Sequence, residues 1–315
     1  MRVLACASAL AILAACSSSS GGDPAAPSPG TNDAGTTVDG ATRTGSTTPA
    51  STAIAARCLD GGAGDVKDGW TRTIGPGSVS AVSGNIGVAI VYSLTIDDEL
   101  RAARHFAEGV WDRLLGDEYT VTGTRTSGGD DGGLLPFSSG TAVDKATGDT
   151  LHITVTASRY DGIAYPVVAL APDEATLAAK LATPEAIDAM RAYNAFPLSC
   201  GTAVGKWTTS STNAVVTYDR GGFFTGIKVS SLQIDVAFDD ALHYDWKAQV
   251  TDNSGQVSER ENGAYTATEQ QIDLASTDGK NTTYDAAFVA VKGGIALSIT
   301  NRQFSGNRWV LYRAE

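Results

Sequence analysis

Side chains that commonly perform acid/base or nucleophilic chemistry are scarce in this sequence and widely spaced. The chain has three histidines and four cysteines, and none of them lies in a serine-hydrolase elbow, a zinc-protease helix motif, a phosphate-binding loop or a dinucleotide-binding turn. The nearest acid/base pair is His243 and Asp245, which share the polar face of one predicted strand and are expected to meet water. The sequence therefore predicts no catalytic residue, no metal ligand and no cofactor, and it favours a protein that is not an enzyme.

The most informative cysteine is Cys16, which follows an apolar segment at the amino terminus. Arg2 is followed by thirteen largely apolar residues, 3–15, and this segment is too short for a bilayer core, which requires roughly 20 residues. Leu13-Ala14-Ala15-Cys16 closely resembles the lipobox of bacterial lipoproteins, in which the cysteine thiol is acylated and becomes the first residue of the mature chain. The resemblance implies a signal peptide over 1–15 and a lipid anchor at Cys16.

The lipobox interpretation also implies a location. Several acyl chains, each contributing about 0.8 kcal/mol per buried CH₂, would hold the chain to a bilayer almost permanently. Ser17, in place of aspartate after the cysteine, implies an outer-membrane location by analogy with enteric bacteria. We therefore expect a lipid-anchored protein of the bacterial cell envelope, with the bilayer as one partner. An ordinary secretory signal with a chance cysteine, and a cytosolic protein with an apolar start, are the alternatives.

The composition changes sharply after the predicted anchor. Residues 17–57 are mostly Ser, Gly, Pro, Thr, Ala and Asp, and such a segment cannot bury enough apolar surface to offset its ordering entropy. We expect 16–57 to be a disordered tether with a mean reach of roughly 35 Å. The tether would hold the folded part of the chain away from the lipid surface.

Two cysteines, Cys58 and Cys200, remain if Cys6 leaves with the signal peptide and Cys16 is acylated. Because an exported protein meets an oxidising compartment, we predict a disulfide between them. In the chain-entropy model, a bridge that closes about 142 residues restricts the unfolded chain by roughly 4 to 5 kcal/mol. Two separate thiols are the alternative, and neither cysteine has the C-x-x-C partner or adjacent histidine that would indicate a metal or redox site.

The charge balance argues against nucleic acid as a partner. The formal net charge is -12, and a chain this acidic repels phosphate backbones. The sequence is 42% apolar and contains 35 glycines, with only 18% charged residues. This balance is typical of exported β-rich proteins and disfavours helix bundles.

Residues 58–199 are predicted to form an α+β sandwich. Alternating or continuous apolar segments predict strands at 70–74, 85–94, 119–124, 140–145, 150–158 and 164–170. Helical signals lie between these strands and after the last of them. This order favours an antiparallel sheet with helices on one face.

The clearest helix of the chain is predicted to follow Thr95, which we interpret as its cap. Apolar residues recur on one helical face from Ile96 to Leu114. The acidic residues 97–99 could suggest a metal site, but their place at the positive end of the helix dipole explains them without a metal. Shorter helices are predicted to begin after Asp173 and Thr183.

In residues 200–315 the helical pattern ends, and apolar and polar residues alternate with a period of two. About eight strands are predicted, at 205–210, 214–218, 231–238, 243–251, 265–274, 282–291, 295–300 and 308–313. The Gly-, Asn- and Asp-rich turns that separate most of them favour hairpins. Eight strands in up-and-down order predict an all-β closed barrel, which leaves no free edge.

A resemblance supports this barrel. Gly205-Lys206-Trp207 resembles the G-x-W opening of lipocalin-like, calycin-type barrels, and Arg313 in the last strand is placed to stack on Trp207, as a late arginine does in that group. The sequence departs from the family in a Gly- and aromatic-rich insertion, 219–226. The whole chain also resembles uncharacterised bacterial lipoproteins that join an α+β unit to such a barrel, for which no activity is implied.

The lipocalin resemblance implies a small apolar ligand in the barrel. Candidate ligand contacts are Trp207, Phe223, Phe224, Tyr244 and Trp246. Eight large aromatic residues could also point inward and fill the narrow interior of an eight-stranded barrel. In that case the protein would be an envelope structural module or a protein-interaction module. A tethered binding protein is our first interpretation, this module is the second, and an enzyme that depends on the histidine in strand 243–251 is the third.

Overall fold

The computed structural model describes most of the chain from Gly69 onward. The described residues are 69–130, 134–160, 162–218, 224–252, 255–303 and 308–314, with side chains described for all of these except 160, 211–218, 224–230 and 252. The predicted signal peptide, Cys16, the tether, Cys58 and Phe223 lie outside the described residues. What the sequence predicts for them stays a prediction.

The first folded unit is built on a nine-stranded antiparallel sheet. Its strands are β1 (Thr71–Ile74), β2 (Ser78–Ser83), β3 (Ile86–Val91), β4 (Leu94–Thr95), β5 (Tyr119–Val121), β6 (Thr126–Gly128), β7 (Phe137–Asp144), β8 (Thr150–Tyr160) and β9 (Ile163–Ala171). The strand order is β1-β2-β3-β9-β8-β7-β5, with β4 paired to β9 and β6 paired to β7. The two most apolar predicted strands, β3 and β9, therefore lie side by side in the interior of the sheet.

Helices cover both faces of this sheet, so the prediction of helices on one face was wrong. The helices are α1 (Asp98–Ala102), α2 (Phe106–Leu115), α3 (Glu174–Ala178), α4 (Pro184–Ala189) and two 3₁₀ turns, Met190–Asn194 and Leu198–Cys200. Trp111 of α2 packs in one core with Ile153, and Ile187 of α4 packs in another with Val88. The reason lies in β3 and β9, whose apolar runs are buried on both faces and can support two cores.

The long helix predicted from Ile96 to Leu114 is divided into α1 and α2. Asp97, not Thr95, caps α1, because its carboxylate accepts a hydrogen bond from the Leu100 amide at 3.0 Å. Arg113 of α2 also donates to Asp97, at 2.7 Å. These contacts, with that of Arg113 first, hold the pKa of Asp97 below its usual value. The acidic residues at this position thus serve the helix terminus.

The second helix, α2, is capped by a residue that is distant in sequence. Asp130 accepts a hydrogen bond from the Phe106 amide at 2.9 Å through one carboxylate oxygen. Its other oxygen lies 2.7 Å from Nδ1 of His105. Because His105 occupies the N-cap position and makes no side-chain cap of its own, Asp130 satisfies a helix amide that would otherwise need water.

The second folded unit is a closed barrel of eight antiparallel strands. Its strands are β10 (Gly205–Tyr218), β11 (Phe224–Phe238), β12 (His243–Asp252), β13 (Gly255–Ala267), β14 (Gln271–Ser276), β15 (Asn281–Val291), β16 (Gly294–Asn301) and β17 (Arg308–Arg313). The predicted number of eight strands is confirmed, although two strand boundaries were predicted wrongly and the two errors cancel in the count. The predicted strands at 205–210 and 214–218 are one strand, β10, and the predicted strand at 265–274 is divided into β13 and β14.

The interior of the barrel is packed with side chains. The eight aromatic residues that the sequence placed inward all belong to the hydrophobic core: Trp207, Phe238, Tyr244, Trp246, Tyr265, Tyr284, Phe288 and Trp309. Phe288, Leu297 and Leu311 are 0% exposed. Packing of this kind resembles a domain core more than an open ligand cavity.

The segment that connects the sheet to the barrel is built into the barrel wall. Phe196 pairs with Phe288 of β15 through two backbone hydrogen bonds of 2.8 and 2.9 Å. The side-chain amide of Asn194 continues this pairing, because it bonds both the carbonyl and the amide of Ala290, at 2.9 and 2.8 Å. The connection therefore behaves as a short additional strand beside β15.

The same segment is held from the other side by Arg72 of β1. Its guanidinium donates to the carbonyl oxygens of Tyr193 and Ala195 at 2.7 and 2.8 Å, and it lies 4.4 Å from the ring centroid of Phe196. Arg72 is only 6% exposed. The sheet and the barrel are thus joined by a buried polar contact as well as by one continuous hydrophobic core.

Candidate functional site

Trp207, the first candidate ligand contact, is enclosed by other side chains. Its indole Nε1 donates to the carbonyl of Ala203 at 2.6 Å, and the ring centroid of Phe288 lies 6.0 Å away. The guanidinium of Arg313 lies 5.1 Å from the Trp207 ring, so the stacking predicted from the sequence is confirmed. Trp207 is 1% exposed, and its described contacts are those of a packed core residue.

Trp246, the second candidate tryptophan, belongs to a group of three rings that we call the aromatic triad: Trp246, Tyr284 and Trp309. The ring centroid of Trp246 lies 5.7 Å from that of Tyr284 in a stacked arrangement, and 6.0 Å from that of Trp309 edge to face. Tyr284 and Trp309 lie near the first residues of β15 and β17. The triad therefore sits toward one end of the barrel, which we call the rim.

The strands β12 and β13 continue past the rim. β14 pairs with β13 only over Gly263–Ala267, whereas β12 and β13 remain paired as far as Asp252 and Gly255. We call residues 247–252 and 255–262 the projecting hairpin. Over these residues β13 has no ladder pairing with β14, whereas β12 remains paired with β11 as far as Ser230 and Asp252.

The inner face of the projecting hairpin exposes apolar side chains. Val250 lies four residues after Trp246, on the same face of β12, and it is paired with Val257 of β13. Val250 is 41% exposed and Val257 is 71% exposed. Apolar surface therefore continues from the buried triad to a solvent-facing ledge above it.

Charged groups lie along the same face. Glu261 is directly opposite Trp246, and its carboxylate accepts a hydrogen bond of 2.5 Å from the Tyr244 hydroxyl. The Lys280 ammonium lies 3.4 Å from Glu261 and 3.5 Å from Glu259. Two carboxylates and one ammonium group thus border the aromatic triad.

These contacts shift the ionisation of the groups at the rim. Burial, followed by the nearby charge of Glu261, raises the pKa of Tyr284 to about 12. Burial and the hydrogen bond to Glu261 also raise the pKa of Tyr244. The carboxylates, with Glu261 first, raise the pKa of Lys280. At neutral pH both tyrosines are therefore neutral, Tyr244 donates to Glu261, and Lys280 is charged.

The structure brings together only part of the predicted ligand set. Tyr244 and Trp246 lie at the rim, whereas Phe224 begins β11 opposite Tyr218, and its side chain lies outside the described part of the chain. The sequence analysis missed Glu259 and Glu261 because β13 is mostly polar. Their spacing of two was the available signal, since it places both on the face that also carries the inward aromatic Tyr265.

The pair considered as an acid/base candidate does not form. His243 Nδ1 lies 3.5 Å from Asp239, whereas Asp245 accepts two hydrogen bonds from Arg260, at 3.1 and 2.6 Å. Among the residues that the structure describes, no group of three or more His, Cys, Asp or Glu side chains could hold a metal ion.

Surface depressions occur elsewhere on the barrel. One of about 370 Å³ is bordered by Lys206, Asp245 and Arg260, among others. Another of about 250 Å³ is bordered by residues of β13, β14 and β15. The aromatic triad lines neither of them, so the ledge at the rim is a separate surface.

The fold defines the protein as a closed eight-stranded antiparallel barrel joined to a helix-covered antiparallel sheet. Comparison with protein-family models, with curated proteins and with solved structures found no match. Within the described ranges, no helix has the length and apolar character needed to cross a bilayer.

Proposed function

We propose that this chain is a lipid-anchored protein of the bacterial cell envelope whose lipocalin-like barrel binds a small apolar ligand at the rim, without catalysis. The observation that carries the proposal is the ledge formed by Val250 and Val257, which is exposed directly above the aromatic triad. Apolar surface at the mouth of a barrel is a common location for small-molecule binding. Acylation of Cys16 would keep the barrel within reach of a membrane, at a distance set by a tether with a mean reach of roughly 35 Å.

Because the interior of the barrel is packed with side chains, we place the proposed site at the rim and not at the barrel centre. Phe288, Leu297 and Leu311, in the barrel core, are 0% exposed. Covering an exposed valine with a ligand removes apolar area from water and contributes roughly 1 kcal/mol or more per side chain. Trp246 and Trp309 would then contact the buried end of the ligand.

The experiment uses the full chain, anchored in nanodiscs of phosphatidylcholine and labelled with 5-fluorotryptophan. The probe is the neutral alcohol 1-hexanol, and the fluorine resonances are assigned with single Trp→Phe variants. We expect saturable shifts for Trp246 and Trp309, and none for Trp70 and Trp111 in the first unit. Empty nanodiscs correct for partition of the probe into lipid.

A variant pair makes this test specific. Val257→Asp places a charge on the ledge and should weaken hexanol binding at least about fivefold. Leu134→Asp is the matched control, because Leu134 is also exposed, at 69%, but belongs to the first unit. Equal binding by both variants, or no saturable shift at Trp246 and Trp309, would contradict the proposal.

The second candidate function is an envelope structural or protein-interaction module. It is favoured by the same packed interior, which makes the barrel a rigid support for an interaction surface. Absence of any ligand effect on the two rim tryptophans would leave this module as the better account of the fold.

A further inference from the structure

We propose that the ligand of the rim is a small cationic amphiphile, in which an ammonium group is attached to an apolar chain. The inference rests on the proposed function, because it concerns the same ledge and the same aromatic triad. It adds the charge of the ligand, which the apolar ledge alone does not determine.

The local charge favours a cationic ligand. Glu259 and Glu261 face the same side of β13 as the ledge, and among the described side chains Lys280 is the ammonium group that approaches them. These two carboxylates and one ammonium group, counted over the side chains that the structure describes, carry a net charge of about −1 where the apolar end of a ligand would enter. A cationic group is attracted to this charge, whereas a carboxylate on the ligand is repelled by it.

The existing ion pair at Glu259 is exposed to solvent. Lys280 lies 3.5 Å from Glu259, and the two side chains are 55% and 65% exposed. Such a solvated pair contributes little free energy. The ammonium of a ligand could therefore bind Glu259 while Lys280 keeps its contact of 3.4 Å with Glu261, whose side chain is 12% exposed.

The aromatic triad below the ledge also favours a cationic ligand. Trp246 is edge to face with Trp309 and stacked on Tyr284, and aromatic faces attract alkylammonium ions through their negative electrostatic potential. Trp309 is half-buried and lies on β17, whereas Glu261 lies on β13. An aromatic surface beside a carboxylate is thus complementary to a cation with an apolar substituent.

The test compares three probes with the same six-carbon chain: hexyltrimethylammonium, 1-hexanol and hexanoate. Binding to the full chain in phosphatidylcholine nanodiscs is measured from the fluorine resonances of Trp246 and Trp309. We expect hexyltrimethylammonium to bind at least about tenfold more tightly than hexanoate, with hexanol between them. Sodium chloride should weaken the binding of the cation more than that of the alcohol.

Variants separate the role of the carboxylates from that of the fold. Glu259→Gln, at an exposed position, should weaken binding of the cation about threefold or more and leave binding of hexanol unchanged. Glu261→Gln should act in the same direction, and its folding is checked from the unchanged Trp111 resonance. Asp245→Asn is the matched control, because it removes one negative charge from the outer face of β12, outside the projecting hairpin.

The outcomes distinguish the two proposals. Equal or tighter binding of hexanoate at the rim would overturn the cationic ligand and retain the ligand site. Loss of hexanol and cation binding together in Glu259→Gln would also overturn the charge argument. If none of the three probes shifts Trp246 or Trp309, the proposed function itself fails.

Discussion

The residue that joins the two folded units most directly is Arg72. Its charge is buried, yet its described hydrogen bonds go to backbone carbonyls of the connecting segment, Tyr193 and Ala195, and its guanidinium faces the ring of Phe196. Hydrogen bonds from a charged donor are stronger than neutral ones, and removing the donor leaves the buried carbonyls unsatisfied. Arg72 therefore contributes to the free energy of folding and to the attachment of the sheet to the barrel.

Arg72→Met should lower the free energy of unfolding by about 3 kcal/mol, because it removes two buried charge-assisted hydrogen bonds while retaining much of the side-chain volume. The measurement is urea denaturation of the full chain followed by circular dichroism. Arg101→Met is the control, since the Arg101 side chain is 64% exposed and its loss should change stability by less than about 0.5 kcal/mol. Similar stabilities of the two variants would show that Arg72 does not join the units energetically.

Residue patterns predicted some of the individual contacts and missed those between residues distant in sequence. The stacking of Arg313 on Trp207 is confirmed, and the inward orientation of the barrel aromatics follows from their period of two. Asp130 could not be assigned as a cap, because its helix begins twenty-four residues earlier and no local pattern connects them. The sequence analysis missed Glu261 because strands usually alternate apolar residues on the inner face with polar residues on the outer face. An acidic residue on the inner face does not fit this pattern.

At the scale of elements, the sequence predicted most strands and the helix starts at Asp173 and Thr183, whose side chains cap α3 and α4. It missed β2, where Ser78, Ser80 and Ser83 weaken the apolar signal although much of the strand is buried. It also joined α1 to α2, because the apolar period continues across the break. The start of α2 is capped by Asp130, which is distant in sequence. The period of the apolar residues contains no information about such a contact.

The cap at α2 gives an element-scale prediction. Asp130→Ala should increase amide hydrogen exchange in the first turn of α2 and lower the free energy of unfolding by about 1 to 2 kcal/mol, because the Phe106 amide loses its acceptor. The exchange is measured by mass spectrometry on the full chain. Asp117→Ala removes an exposed carboxylate just after α2 and should leave exchange there unchanged. Unchanged protection in Asp130→Ala would show that the cap is dispensable.

At the scale of the whole molecule, the described units form one body between a predicted membrane anchor and a solvent-facing rim. The two units share one hydrophobic core, and the connecting segment pairs with β15 of the barrel. Cys200 lies beside this junction and is 2% exposed, whereas Cys58 lies outside the described residues, so the disulfide between them stays a prediction. The distance of the rim from lipid would depend on the predicted anchor at Cys16 and on the predicted tether, 16–57.

We propose that the mature chain begins at an acylated Cys16 and displays its binding site from a membrane. The most direct measurement is the intact mass of the protein recovered from bacterial membranes, together with that of Cys16→Ser. We expect a chain that starts at Cys16 and exceeds its polypeptide mass by a diacylglycerol and a further acyl chain, with neither addition in the variant. A soluble mature chain with another first residue and no lipid would contradict the account.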